Sequence, residues 1–255
     1  MKTLCLRLLI PLVLCALWWV ATRYEWVSAV LLPAPERVLE KAFVLMQSGE
    51  LWSHLWASTR RVLLGFGCSA LMAISLVLIN DARDGIAKAL SPLLMGLQVI
   101  PPLSLMPLLI LWLGIDEAPK LAIVILATFF PVYLSARAGL LAAHREYGEL
   151  VQSLSLTRVQ AYWHVWLPGA YAMTVNGLRI GFGYAWRALV SAELLAASSG
   201  LGYLIEDAST MMATDTVVVG IVTIALAGVV TQRALTWLLT RSVSRGLRTR
   251  EEAVW

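Results

Sequence analysis

The chain has 255 residues, of which 59% are hydrophobic and 14% are charged. A soluble domain carries about a quarter charged residues, and the apolar residues here fall in blocks of roughly 20, the length that crosses a bilayer. Composition therefore excludes an ordinary soluble protein and predicts an all-α, polytopic membrane protein. The net charge of +4 needs no nucleic-acid partner, because basic loops facing the cytoplasm explain it.

Six apolar segments are predicted to cross the lipid bilayer, within a single transmembrane domain covering residues 1–255. The first carries Lys2 and Arg7 at its start, as a signal peptide would, but bulky residues at 17–20 stand where a cleavage site would lie, so we expect it to be uncleaved. The predicted spans are about 4–21, 63–79, 93–113, 121–141, 175–197 and 217–239.

Prolines interrupt the third predicted span. Pro101, Pro102 and Pro107 each lack a backbone N–H. At membrane depth, the carbonyls that they free must be met by neighbouring helices or by a water-lined cavity. The sequence therefore predicts a broken helix whose freed carbonyls are met either by neighbouring helices or by water in a cavity.

A polar stretch at 144–168 separates the fourth and fifth spans. Its first part places Tyr147, Leu150, Val151 and Leu154 at i, i+3, i+4 and i+7, which is one face of a helix. This periodicity is compatible with a loop lying on lipid headgroups and equally with a docking surface for a soluble partner.

The second part of the stretch predicts another short helix. Thr157 and Gln160 have the spacing of a capping box. An apolar stripe at helical spacing runs from Val159 to Trp166, and Pro168 is expected to end the helix. Two short amphipathic helices should therefore meet at about 155–157.

Basic residues set the predicted orientation. The tail after the sixth span contains Arg241, Arg245, Arg248 and Arg250, whereas the 198–216 loop contains no arginine. Because cytoplasmic loops are enriched in Lys and Arg, both termini and the 144–168 loop are predicted to be cytoplasmic.

No catalytic apparatus is predicted. The sequence has no Walker motif, no H-E-x-x-H, no C-x-x-C and no G-x-S-x-G. Its three histidines, His54, His144 and His164, are far apart, and its three cysteines match no metal site. We therefore expect a protein that is not an enzyme and holds no metal or cofactor.

Three charged residues lie in the fifth span. Arg179 is near its cytoplasmic end, where a long side chain can snorkel, whereas Arg187 and Glu193 lie deeper. A charge in hydrocarbon is costly and normally faces the bundle interior. Arg187 and Glu193 are six residues apart, roughly 240° around a helix, so they are not expected to pair with each other. Each either pairs with another span or lines a polar path, in which Arg187 would attract an anion.

The 144–168 loop resembles the cytoplasmic "EAA" loop in permease subunits of bacterial ABC importers that are fed by a binding protein. Glu149 and Leu167–Pro168 match that pattern, whereas Ser155 stands at the position of its glycine. Leu150 and Val151 replace its two alanines. The resemblance implies that the loop couples to an ATPase, through residues Glu146, Glu149, Leu150, Leu154, Ser155 and Arg158.

Segments outside the loop resemble the nitrate, sulfonate and taurine branch of those permeases. They are Leu32–Val38, Ile100–Leu103 with Pro107, Trp112–Ile115, Phe129–Pro131 and 177–202. The resemblance implies the type I ABC importer permease fold in the bacterial cytoplasmic (inner) membrane. It also implies a second copy of the chain, a periplasmic substrate-binding protein, and a pair of ATPase subunits that hold ATP and Mg²⁺.

The expected cargo is a small anion of the aliphatic sulfonate, taurine or nitrate type. Small residues at helical spacing on the fifth span, Gly181, Ala185, Ala188 and Ala192, are expected either to line the path with the broken third span or to pack tightly against neighbouring helices. The predicted lining is Pro101, Pro102, Gly181, Ala185, Arg187, Ala188 and Glu193.

Three other functions stay open. The same machinery could carry a thiamine precursor or riboflavin. The chain could instead be a channel or a transporter driven by an ion gradient, although such proteins usually show several intramembrane ionisable sites and internal repeats. Only Glu193 is a candidate for such a site, and no repeat is visible. A structural membrane scaffold is the third alternative.

Overall fold

The computed structural model describes the backbone of residues 2–251 and the side chains of residues 9–10, 12–83 and 85–241. Helices make up nearly all of this part of the chain, and it contains no strand, which confirms the all-α fold class. The α-helices are α1 Lys2–Arg23, α2 Pro35–Gln47, α3 Glu50–Ala82, α4 Asp84–Val99, α5 Met106–Leu113, α6 Glu117–Ser153, α7 Arg158–Ala161, α8 Leu167–Ala196, α9 Leu201–Thr210 and α10 Thr214–Glu251.

Within the part of the chain that the structure describes, three helices are long and apolar enough to cross a membrane: α3, α6 and the Thr214–Arg241 part of α10. Two further pairs qualify jointly, Gly85–Val99 with Pro102–Leu113 and Arg158–Ala196 with Leu201–Thr210. The first predicted span coincides with α1, in which the apolar segment Leu12–Arg23 is shorter than the length required of a candidate span. The predicted basic residues Lys2, Arg7, Arg245, Arg248 and Arg250 lie outside the described side chains.

The third span is broken, as its prolines predict. Helix α4 ends at Val99, and a 3-10 turn covers Pro102–Leu105 before α5 begins. The two halves meet at an angle of 91°. Pro101 and Pro102 lie at this break because neither can donate an intrahelical hydrogen bond.

Helices α3 and α6 are longer than the spans predicted within them. The segment after Glu50 continues into the second predicted span as one helix of 33 residues. The first helix of the 144–168 loop is likewise the end of α6, a single helix of 37 residues. Neither junction contains the Gly or Pro that usually stops a helix, so the prediction of a separate first helix in the 144–168 loop was wrong.

The chain is organised in two compact units. One comprises Met1–Ser58 and Glu193–Ala227. Within it, Trp18 donates its indole N–H to the Pro33 carbonyl at 3.0 Å. Gly220 of α10 lies against Ile205 of α9, and a Cβ there would come within 2.6 Å of the Ile205 side chain.

The second unit comprises Thr59–Ala192 and Gly228–Trp255. Small residues let its helices approach closely, the usual packing device of membrane helices. A Cβ at Gly177 of α8 would meet Ser135 of α6 at 2.4 Å, and one at Gly181 would meet Val132 at 2.8 Å. Helix α6 is therefore in direct backbone-level contact with α8.

An ion-pair cluster joins α3 to the start of α6 in this unit. The Arg61 guanidinium donates two hydrogen bonds to the Glu117 carboxylate, at 2.7 and 2.6 Å. Lys120 contacts the same carboxylate at 3.3 Å. Glu117 precedes the predicted span, and the Arg61 hydrogen bonds, with Lys120 close by, lower the pKa of its carboxyl to about 2. The pair is therefore charged at any physiological pH.

Replacing Glu117 with Gln should destabilise the protein by about 2 kcal/mol, because it removes the negative charge that the buried cations of Arg61 and Lys120 contact. Loss of one partner of a fully buried pair costs about 3–5 kcal/mol, and the 42% exposure of Glu117 reduces that figure. Thermal unfolding in detergent measures the change. Asp116→Asn, at an exposed neighbour that is in no ion pair among the described residues, is the control. Equal unfolding temperatures for the two variants would contradict this reading.

Candidate functional site

The 144–168 loop bends sharply just after α6. Helix α6 ends at Ser153, and Ser155 adopts a φ of 50°. This left-handed conformation is uncommon for residues other than glycine. Ser155 stands at the position predicted to match the glycine of the EAA-loop pattern, so the chain bends here without a glycine.

The predicted capping box starts the next helix. The Gln160 backbone N–H donates to the Thr157 hydroxyl at 3.4 Å, and the Thr157 N–H donates to the Gln160 side chain at 3.0 Å. Both halves of the box are present at the start of α7. These hydrogen bonds therefore fix the start of α7 directly after the bend at Ser155.

The apolar stripe predicted for this second helix is split. Residues Tyr162–Trp166 form a π-helical turn, whose wider pitch rotates the residues that follow. Tyr162 and Trp166 turn inward, whereas Val159 and Trp163 are 68% and 67% exposed. The prediction that Pro168 ends the helix was wrong. Pro168 lies in the first turn of α8, where a missing N–H is tolerated.

The loop therefore presents apolar side chains to solvent on both sides of its bend. Leu150 and Leu154 at the end of α6 are 46% and 59% exposed, and Val159 and Trp163 continue the surface after the bend. Exposed charged residues surround it: Glu146, Glu149 and Arg158. A hydrogen bond to the Glu146 carboxylate raises the pKa of the neighbouring Tyr147. We call Leu150, Leu154, Val159 and Trp163 the loop surface.

The residues predicted for the path on α8 separate into two groups. Gly181 and Ala185 are buried against neighbouring helices, so they pack within the chain. Arg187 is exposed and Ala188 is partly exposed. The Arg187 guanidinium lies over the Tyr184 ring, 5.5 Å from its centre, where a cation–π interaction orients it.

A pocket of about 280 Å³ lies at the break between α4 and α5. Pro102 lines it from the break, and Tyr184 lines it from α8. The remaining lining residues are Gln98, Ile100, Leu126, Ala127, Phe130, Pro131 and Leu134. Sequence reasoning missed Tyr184, although it lies three residues before Arg187 on the same helix and so shares its face.

Glu193 belongs to the other unit and is 1% exposed. Ser58 donates its hydroxyl to the carboxylate at 2.8 Å, and the Gly202 N–H donates to it at 3.0 Å. The Leu201 N–H donates to Ser58 at 2.8 Å, and the Gly200 N–H donates to His54 at 3.0 Å. Three side chains thus satisfy the first N–H groups of α9, where negative charge is favourable.

Helix α9 was not predicted, since 198–216 was interpreted as a loop. Its apolar residues Leu201, Leu204, Ile205 and Ala208 stand at i, i+3, i+4 and i+7, a signal that could have found it. Glu193 therefore contacts the start of α9 in this structure, a position that the sequence analysis did not predict.

Residues 60–243 match the family described as "Binding-protein-dependent transport system inner membrane component". The chain is 36% identical over 219 residues to the taurine transport system permease protein TauC of Escherichia coli (strain K12), covering 84% of this chain and 80% of that protein. It is 37% identical to the putative aliphatic sulfonates transport permease protein SsuC of the same organism, covering 86% and 83%. The nitrate import permease protein NrtB of Synechocystis sp. (strain ATCC 27184 / PCC 6803 / Kazusa) is 26% identical, covering 81% and 78%.

Proposed function

The chain belongs to the family of binding-protein-dependent inner membrane transport components, and from that premise we propose that it is the permease subunit of an ATP-driven ABC importer for a small anion. The cargo is an aliphatic sulfonate, taurine or nitrate. The relatives named for taurine and sulfonates, at 36% and 37% identity, support the first two most directly.

The loop surface carries the proposed coupling role. Four large apolar side chains are exposed around one bend, framed by Glu146, Glu149 and Arg158. Apolar patches rimmed by polar residues are typical of protein–protein contacts. The bend at Ser155 and the capping box at Thr157 fix the direction of the two arms. An ATPase subunit is the partner that this rigid, two-armed surface fits.

The chain acts with partners that supply energy and cargo. A pair of ATPase subunits binds ATP and Mg²⁺ and hydrolyses the nucleotide, while this chain catalyses no reaction and holds no cofactor. A second copy completes the path, and a periplasmic binding protein delivers the anion. The chain spans the cytoplasmic membrane with both termini in the cytoplasm. This proposal uses the predicted spans and the loop 144–168 with the bounds given above.

The path runs along the exposed side of α8 and the α4–α5 break. Pro101, Pro102, Arg187 and Ala188 contribute to its wall, and the 280 Å³ pocket beside Pro102 is large enough for a small organic anion. Gly181 and Ala185 support this wall from behind by close packing. Glu193 stays a proposed residue of the path by its position in the fifth predicted span.

Growth tests the substrate class. A deletion strain should grow on sulfate but fail on taurine or an alkyl sulfonate as sole sulfur source, and the wild-type gene should restore growth. Nitrate as sole nitrogen source tests the third anion. Normal growth on all three, with a new requirement for thiamine or riboflavin, would show instead that the cargo is a thiamine precursor or riboflavin.

Arg187→Gln should reduce uptake about tenfold at unchanged dimer yield, because the anion loses its cationic partner, a change of about 1.4 kcal/mol. Arg187→Lys should restore part of the uptake, since it keeps the charge but loses the planar fork. Arg37→Gln, at an exposed arginine of α2, is the control. A lower dimer yield for Arg187→Gln would instead assign Arg187 a structural role.

A further inference from the structure

Three parts of the second unit meet behind the coupling loop: the end of α3, the later half of α6 and the π-helical turn. His144 of α6 lies with Nδ1 3.6 Å from Asp81 Oδ1, within ion-pair distance. The His144 ring also packs on Trp166, with centroids 4.1 Å apart. Arg158 of α7 donates to the Asp81 carbonyl at 3.3 Å. We call Asp81, His144, Tyr162 and Trp166 the base cluster.

The π-helical turn is what brings two aromatic rings onto His144. Tyr162 and Trp166 are four residues apart, and their rings meet at 5.0 Å and 84°. Tyr162 also approaches His144 edge-on, at 6.3 Å and 82°. The loop surface residue Trp163 lies inside the same turn and points outward, with 67% exposure. Any shift of the base cluster therefore changes where Trp163 is presented.

The base cluster contains buried polar atoms, which packing of the helices does not itself require. His144 Nε2, Tyr162 OH and Trp166 Nε1 are buried and have no hydrogen-bond partner among the described residues. Buried polar atoms without partners are costly and call for an explanation beyond packing. These polar side chains fit a role in which Asp81 holds His144 in place and the His144 ring in turn positions the rings of Tyr162 and Trp166.

We propose that Asp81 and His144 are positioning residues that set the angle of the loop's second arm, and thereby the efficiency with which ATP hydrolysis is converted into transport. This inference rests on the proposed coupling role of the loop surface. Neither residue belongs to that surface: the side chains of Asp81 and His144 are only 11% and 29% exposed. They act through Tyr162 and Trp166, which carry Trp163 between them.

The test uses the complete transporter, with its ATPase subunits and binding protein, in proteoliposomes with taurine as the probe. His144→Phe keeps a flat ring against Trp166 and removes the contact with Asp81, whereas Asp81→Asn removes the charge. Each variant should lower the taurine taken up per ATP hydrolysed about threefold to fivefold, an effect of the size that a partly exposed polar contact contributes. ATPase rate and assembly yield should stay unchanged.

A double-mutant cycle adds a result that a purely structural role would not give. Because the two residues act as one unit, Asp81→Asn with His144→Phe should lower the ratio no further than the worse single variant. Arg83→Gln, an equal loss of one charge at an exposed residue two positions from Asp81, should leave the ratio unchanged.

The proposal would be overturned by an unchanged ratio in both single variants, or by a parallel loss of uptake, ATP hydrolysis and yield. An additive double variant would show that the residues do not act as a pair and would also overturn it. Absence of any ATP-dependent uptake by the wild-type transporter would instead count against the proposed function.

Discussion

Replacing Gly200 with alanine is expected to destabilise the folded protein by at least about 3 kcal/mol, the lower end of the cost of breaking a buried charge arrangement. Gly200 has a φ of 116°, and a Cβ there would lie 2.3–2.6 Å from the Glu193 carboxylate atoms. The carboxylate cannot move aside without losing its bonds to Ser58 and Gly202. Thermal unfolding and yield in detergent measure the effect.

Gly49→Ala separates the two causes of this loss. Gly49 also has a positive φ, 79°, but nothing lies within 4 Å of the position of its Cβ. Alanine there should cost about 1 kcal/mol, from backbone strain alone. Equal losses for the two variants would show that overlap with Glu193 contributes nothing.

Leu154→Arg should abolish ATP-dependent transport while the chain still reaches the membrane and forms its dimer. Leu154 is 59% exposed at the centre of the loop surface. A buried arginine without a carboxylate partner is costly at a protein interface, so the ATPase should no longer dock. Co-purification of the ATPase subunits and taurine uptake in proteoliposomes measure the two consequences.

Gln152→Arg provides the matched control, since it adds the same charge two residues away, on another face of α6. Gln152 is also exposed. We expect normal docking and uptake for this variant. If both arginine variants transport normally and bind the ATPase, the loop surface is not the docking surface.

Local rules correctly predicted the features that a few residues determine by themselves. The break of the third span follows from Pro101 and Pro102, whose missing N–H groups no neighbour can replace. The start of α7 follows from Thr157 and Gln160, which cap the helix by side-chain hydrogen bonds.

The sequence analysis did not predict the features that depend on contacts between residues far apart in the sequence. The π-helical turn has no sequence signature and is stabilised by the packing of Tyr162 and Trp166 on His144. The role of Glu193 requires Ser58, which is 135 residues away in the sequence. A buried carboxylate on a helix looks the same in sequence whether it caps another helix or faces a path.

The most direct test of the proposed function is taurine uptake by proteoliposomes that contain this chain, its ATPase subunits and the binding protein. Uptake should require ATP on the side of the 144–168 loop and the binding protein on the other side, and it should stop in the Leu154→Arg variant. Uptake by the chain alone, driven by an ion gradient without ATP, would contradict the assignment and favour a secondary transporter.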